Sequence, residues 1–152
     1  MTTTTTVTTV VASMVVSALV TLFVERRRAK AARATRRVPG FKPQRMSKWV
    51  VHNGRLETQG MTADPAGDIE AQTRECLAKL EAMLLEAGAS KATDLLSMTI
   101  FLSDLPGEFA RMNAIYDAWV TDIAKPTRLC VQAALDSGCK IEIRCSAACD
   151  GL

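Results

Sequence analysis

DIEAQTRECLAKLEAMLLEAG, residues 68–88, decides the fold, because its apolar residues recur at helical and not at strand spacing. Ile69, Cys76, Leu80, Leu84 and Ala87, with Leu77 and Met83 beside them, fall on one face. Asp68 is placed to cap the first turn, Glu70 sits near the positive end of the helix dipole, and Gly88 supplies the stop. PGEFARMNAIYDAWV (106–120) repeats the pattern with Phe109, Met112, Tyr116 and Trp119 at helical spacing. The Met and Leu stripe of residues 68–88 reads as core, not as a cofactor site.

Around the helices the period changes to two. KWVVHNGRLETQG carries two short β-type runs about His52-Asn53-Gly54-Arg55, and Asn-Gly is the strongest short hairpin signal because a type I′ turn needs positive φ at both central residues. His52 stands at the turn edge as a bystander. LLSMTIFLS (95–103) alternates with Leu96, Met98, Ile100 and Leu102 on one face. TRLCVQAAL, a DSGC turn and KIEIRCSAA give two closing strands, the last with Ile141, Ile143, Cys145 and Ala147 facing one way and Glu142 and Arg144 the other. The order β-β-α-β-α-β-β defines an α+β fold, two helices packed on one face of a mostly antiparallel sheet. The other face must meet water or another subunit. Arg128, Cys130 and Gln132 alternate on one side of their strand, so the expectation is a polar assembly face, shared with Glu142, that contains a small pocket.

Length and charge bound the rest. The 152 residues suffice for one domain plus an extension. Residues 1–45 carry net +8 and residues 46–152 net −5, so a basic nucleic-acid surface is not expected on the domain. Five cysteines (76, 130, 139, 145, 149) form no CxxC pair and His52 is the only histidine, which argues against a metal site and against Ser-His-Asp or Cys-His catalysis. Carboxylate and guanidinium chemistry remain. Arg128 stands out because a guanidinium at the start of an apolar run needs a partner, either an acid of this chain, an acid such as Glu142 at a subunit interface, or a ligand.

The expected domains are a targeting or membrane-anchor extension at 1–37, a Pro/Gly-bearing linker at 38–45 and a folded domain at 46–150. Residues 7–24 form an 18-residue apolar run, at the lower edge of what spans a bilayer, and ERRRAKAARATRR follows directly. Charge after the apolar run suits an anchor that leaves the domain in the cytosol. Arginine richness with one acid suits a cleaved transit peptide for the mitochondrion or another organelle. A disordered tail is the plain alternative.

The stretches GDIEAQTRECLAKLEAMLLEAGAS, IFLSDL, FARMNAIYDAW, KPTRLCVQ and KIEI, in that order and with the Asn-Gly hairpin before them, resemble the RidA (YjgF-type) family of enamine/imine deaminases over about residues 46–149. The resemblance implies a RidA/chorismate-mutase-like fold and a homotrimer with active sites between subunits. It also implies hydrolysis of small 2-imino acids of the 2-aminoacrylate or 2-iminobutanoate/2-iminopropanoate type to 2-oxo acids and ammonia, with no cofactor or metal. Carried over by position, Arg128 matches the arginine that grips the substrate carboxylate. Glu142 matches the glutamate that positions or activates water, and both count as catalytic. Cys130 and Gly60 match substrate-binding positions, and Asn113 a structural asparagine of the helix. The chain departs from the family pattern at Met46, where active members often have a tyrosine, at Gln59 in place of a serine, and in a segment from Arg128 to Glu142 one residue shorter, with Leu135-Asp136 in place of leucine-proline. A non-catalytic trimer that binds small carboxylates or a partner protein is the alternative. RNA cleavage, reported for some relatives, is opposed by the acidic domain.

Overall fold

Ile141–Ala148 is the strand about which the domain is organised (β6), and the computed structural model describes it within residues 3–33, 35–42, 44–136 and 138–149. Five further strands flank it: β1 (Arg36–Pro39), β2 (Ser47–His52), β3 (Arg55–Thr58), β4 (Leu95–Leu102) and β5 (Thr127–Gln132). Their order across the sheet is β1-β2-β3-β6-β4-β5. All pairs are antiparallel except β4 with β5, which run parallel. A parallel pair needs a crossover, and α4 (Leu105–Trp119) supplies it. The long helix α2 (Ile69–Ala87) joins β3 to β4 through the short α3 (Lys91–Asp94).

The local chemistry of these elements follows the sequence. Asp68 caps α2 by accepting from the Ala71 amide, and Gly88 ends it in the left-handed region at φ 86°. Asp104 caps α4 through the Gly107 amide. Asn53 and Gly54 both have positive φ, 52° and 71°, as the hairpin between β2 and β3 requires. The alternating residues Ile141, Ile143, Cys145 and Ala147 of β6 are buried with Ile69, Leu77, Leu80 and Leu84 of α2 and Met112 of α4 in one apolar core. Each such buried aliphatic side chain contributes about 1.5–3 kcal/mol relative to exposure.

Two boundaries differ from the sequence reading. Residues 36–39, read as the end of the extension and the start of a linker, form strand β1 against β2. Val38 packs on the core, and the Arg36 guanidinium lies 5.6 Å from the centre of the Trp49 ring while donating to the Ala87 carbonyl. Tertiary pairing holds these residues in a strand despite Pro39, which is tolerated at an edge. In β4, an irregularity between Leu95 and Ser97 turns Leu95 inward and leaves Leu96 exposed, so the inner row is Leu95, Met98, Ile100 and Leu102.

The chain divides into two units, residues 1–34 and 35–152. The first contains α1 (Thr3–Arg33), whose Met14, Val15, Val16, Leu19, Val20, Leu22 and Phe23 are all exposed. The apolar run at 7–24 falls in this helix, and the side chains of 7–12 lie outside the described residues. Among the described residues no helix is long and apolar enough to cross a membrane.

Candidate active site

Arg128 sits on β5, an edge strand, directly beside Met98 of β4. Met98 is buried in the core beneath the helices, so Arg128 lies on the helix face of the sheet, at its rim. Helix α4 holds it there. The guanidinium is 4.8 Å from the centre of the Tyr116 ring and 5.8 Å from that of Phe109, and its Nη1 donates to Asn113 Oδ1 at 2.6 Å. Stacking and one hydrogen bond fix the fork, and no carboxylate among the described residues pairs with it. The charge therefore remains available to an anion.

The next residues on that row are Cys130 and Gln132. Cys130 is half-buried; burial pushes its thiol up, with Arg128 partly opposing, which disfavours the thiolate. Gln132 Oε1 accepts from the Leu105 amide at the start of α4. The expected polar row thus faces the helices, not the open side of the sheet. Alternation along β5 groups these residues correctly but carries no sign that says which face they take.

Glu142 lies on the opposite face. In β6 it stands between the buried Ile141 and Ile143 and beside Phe101 of β4. Its carboxylate presses against Gly60, so closely that a Cβ there would sit 1.8 Å from Oε1. Only glycine permits this approach. Glu142 is half-buried, and among the described residues it has neither a cation nor a hydrogen-bond donor. The same open face bears the exposed Leu129 and an ion-paired cluster, Arg55 and Arg144 on Glu57.

Gly60 also borders a groove of about 560 Å³ between the β2–β3 ends and α2, lined by Met46, Gln59, Met61, Ala82 and Met83 with Lys48 and Lys79. Neither lysine is free: Lys48 pairs with Glu86, and Lys79 pairs with Glu75 at 2.6 Å while donating to the Thr62 carbonyl. Among the described residues no cluster of three His, Cys, Asp or Glu side chains forms a metal site.

The candidate residues therefore form two half-sites. Arg128 is level with Cys145, three residues along β6 from Glu142, and two strands away. Standard strand spacings put their backbones roughly 14 Å apart, with side chains on opposite faces. One chain cannot bring both to the same small molecule. Arg128, Cys130 and Asn113 share one half with Tyr116 and Phe109; Glu142 and Gly60 share the other. The sequence reading gave Tyr116 and Phe109 no part in a site. The signal for their second role is the stripe they share with Asn113, at positions 109, 113 and 116 of one helix face.

The α+β layer thus carries a guanidinium at one rim and a carboxylate on the open face, neither paired with an opposite charge among the described residues. Residues 42–149 match the family model described as Endoribonuclease L-PSP, and the chain belongs to this family, which includes the YjgF, RidA and RutC proteins. It is 39% identical over 105 residues to the RutC family protein YoaB of Escherichia coli, covering 68% of this chain and 90% of that protein. It is 35% identical over 101 residues to the 2-iminobutanoate/2-iminopropanoate deaminase of Salmonella typhimurium, covering 64% and 77%. The fold is similar to that of NMB1025, a YjgF family member from Neisseria meningitidis, with a TM-score of 0.68 and 31% identity over 77% of this chain and 96% of that one.

Proposed function

We propose that this protein is a hydrolytic deaminase that converts small 2-imino acids and their enamine tautomers to 2-oxo acids and ammonia, working as a homotrimer with sites between copies. The observation that carries the reading is the pair of charges Arg128, on the helix face, and Glu142, on the open face, neither of which has a counter-ion among the described residues. Identity to a 2-iminobutanoate/2-iminopropanoate deaminase supports the reaction class.

In the proposed reaction, Arg128 of one copy grips the substrate carboxylate with two parallel hydrogen bonds. Glu142 of a neighbouring copy takes a proton from water as the water oxygen bonds to the imine carbon. The imine is attacked in its N-protonated form, and Glu142 is restored when it hands the water proton to the nitrogen of the resulting carbinolamine; the C–N bond then breaks and ammonia leaves with the electron pair. The hydroxyl proton passes to water, which gives the 2-oxo acid. Water is the only co-reactant. Arginine richness and the lack of acids, Glu25 excepted, support an address for the extension in the mitochondrion or another organelle, with a membrane anchor that leaves the domain in the cytosol as the alternative.

A non-catalytic carboxylate binder is the second reading, favoured by Met46 and Gln59 beside the groove. The test is a coupled assay in which an amino-acid oxidase generates imino acids and 2-oxo acid release is followed with and without the protein. Acceleration that is lost in Arg128→Ala and lost or nearly lost in Glu142→Ala supports the enzyme. No acceleration with any imine, from folded protein, leaves the binder.

A further inference from the structure

Resting on the anchor reading of the extension, we infer that α1 docks on an anionic lipid surface. Its apolar residues enter one leaflet, and the basic turns that follow them hold the lipid phosphates. Three observations within this helix carry the inference.

The first is an apolar surface that wraps the helix. Met14, Val16, Leu19, Leu22 and Phe23 are each more than half exposed. Val15 and Val16, Leu19 and Val20, and Leu22 and Phe23 are consecutive pairs, so the apolar side chains cover most of the circumference and not one stripe. A groove on a protein covers one side of such a helix, whereas hydrocarbon covers all of it. The hydroxyl of Thr21 does not oppose entry, because its Oγ1 donates to the Ser17 carbonyl at 3.0 Å and carries that hydrogen bond out of water.

The second is length. Residues 13–24 rise about 18 Å along the helix axis, slightly more than half of a hydrocarbon core of about 30 Å. This stretch fits one leaflet and has no need to cross the bilayer.

The third is the charge that follows. Arg26, Arg27, Arg28 and Lys30 come directly after the apolar stretch, and Glu25 is the one acid of the helix. None of the four cations forms an ion pair among the described residues. The Arg27 guanidinium lies 4.6 Å from the centre of the Phe23 ring, at the level where the apolar surface ends. Stacked there, it keeps its N–H edge for a phosphate. A second copy of the helix laid parallel would set like charges side by side, and a nucleic acid would leave the apolar residues in water. An anionic lipid surface satisfies both parts.

The test is flotation of the full chain with vesicles of phosphatidylcholine alone and of phosphatidylcholine with phosphatidylglycerol at about 3:1. Flotation separates bound protein from aggregates. Binding to the anionic vesicles is expected to exceed binding to the neutral ones at least about tenfold and to weaken as salt is raised. The triple variant Arg26→Gln, Arg27→Gln, Arg28→Gln is expected to bind the anionic vesicles roughly 100-fold less. Leu19→Asp puts a charge into the apolar surface and is expected to lower binding to both kinds at least about tenfold. Equal binding to the two kinds of vesicle, or a preference that the triple variant keeps, overturns the inference and leaves the anchor reading standing. Binding to neither overturns both, points to a protein receptor for α1, and leaves the deaminase reading untouched.

Discussion

Replacing Gly60 with alanine tests whether its contact with Glu142 matters to the proposed reaction or only to the fold. The new Cβ would meet Glu142 Oε1 at 1.8 Å, Cδ at 2.6 Å and Cγ at 3.0 Å. Regaining ordinary van der Waals distance needs a displacement of roughly 1.5 Å. The carboxylate is the far end of a flexible side chain with no partner to lose among the described residues, so it yields more easily than the backbone. Gly60 has no positive φ, so alanine brings no backbone strain. It also lowers the entropy of the unfolded chain, worth about 0.4–1 kcal/mol in favour of folding. The stability of Gly60→Ala in urea is therefore expected to stay within about 1 kcal/mol of the parent. Catalysis is more sensitive, since a misplacement of about 1 Å can cost a hundredfold. The coupled assay should show kcat lowered by about two orders of magnitude in Gly60→Ala. In a Glu142→Ala background the same change should cost nothing further, giving a coupling of about 2.7 kcal/mol. Full activity in Gly60→Ala, or an equal loss in both backgrounds, would refute the reasoning.

Two further outcomes follow from the same geometry. Arg128→Lys keeps a positive charge but loses the fork that Asn113 and Tyr116 orient, so kcat/KM should fall roughly 10- to 100-fold, the worth of one charge-assisted hydrogen bond, chiefly through KM. A lysine variant with the parental KM would contradict that role. The thiols of Cys76 and Cys145 are both pushed up to about 12 by burial. Their protonated form is favoured in the folded chain, so this stability is intact below the unfolded pKa near 9 and is lost as pH rises toward 12. The decline is about 1.4 kcal/mol per pH unit for each thiol. Urea midpoints at pH 8 and pH 10 would check it, and equal midpoints would argue against the burial of both thiols.

Much of the fold is legible in the sequence because its signals are local. Asp68, Gly88 and the intervening apolar stripe specify α2 without outside help, and Asn53-Gly54 specifies its hairpin. Strand β1 is not legible, since four residues ending in proline acquire strand geometry only from Val50, Val51 and Trp49 alongside. The inward turn of Leu95 depends on a cross-strand irregularity that alternation in one strand cannot reveal. The site divides in the same way. Arg128 and Glu142 can be picked out as charges in apolar runs, but their separation onto opposite faces depends on which side α4 packs. The contact between Glu142 and Gly60 joins residues 82 positions apart in the chain, and no periodicity reports it.

The central claim is that Arg128 and Glu142 act together only across two copies of the chain. Subunit mixing tests it most directly. Arg128→Ala and Glu142→Ala proteins, each inactive or nearly so alone, would be unfolded together in equal amounts, refolded, and assayed. In a closed ring with random mixing, about a quarter of the interfaces pair an intact Arg128 with an intact Glu142. The account predicts recovery of about a quarter of the parental activity. Mixed oligomers that form and stay as inactive as either variant alone would contradict it.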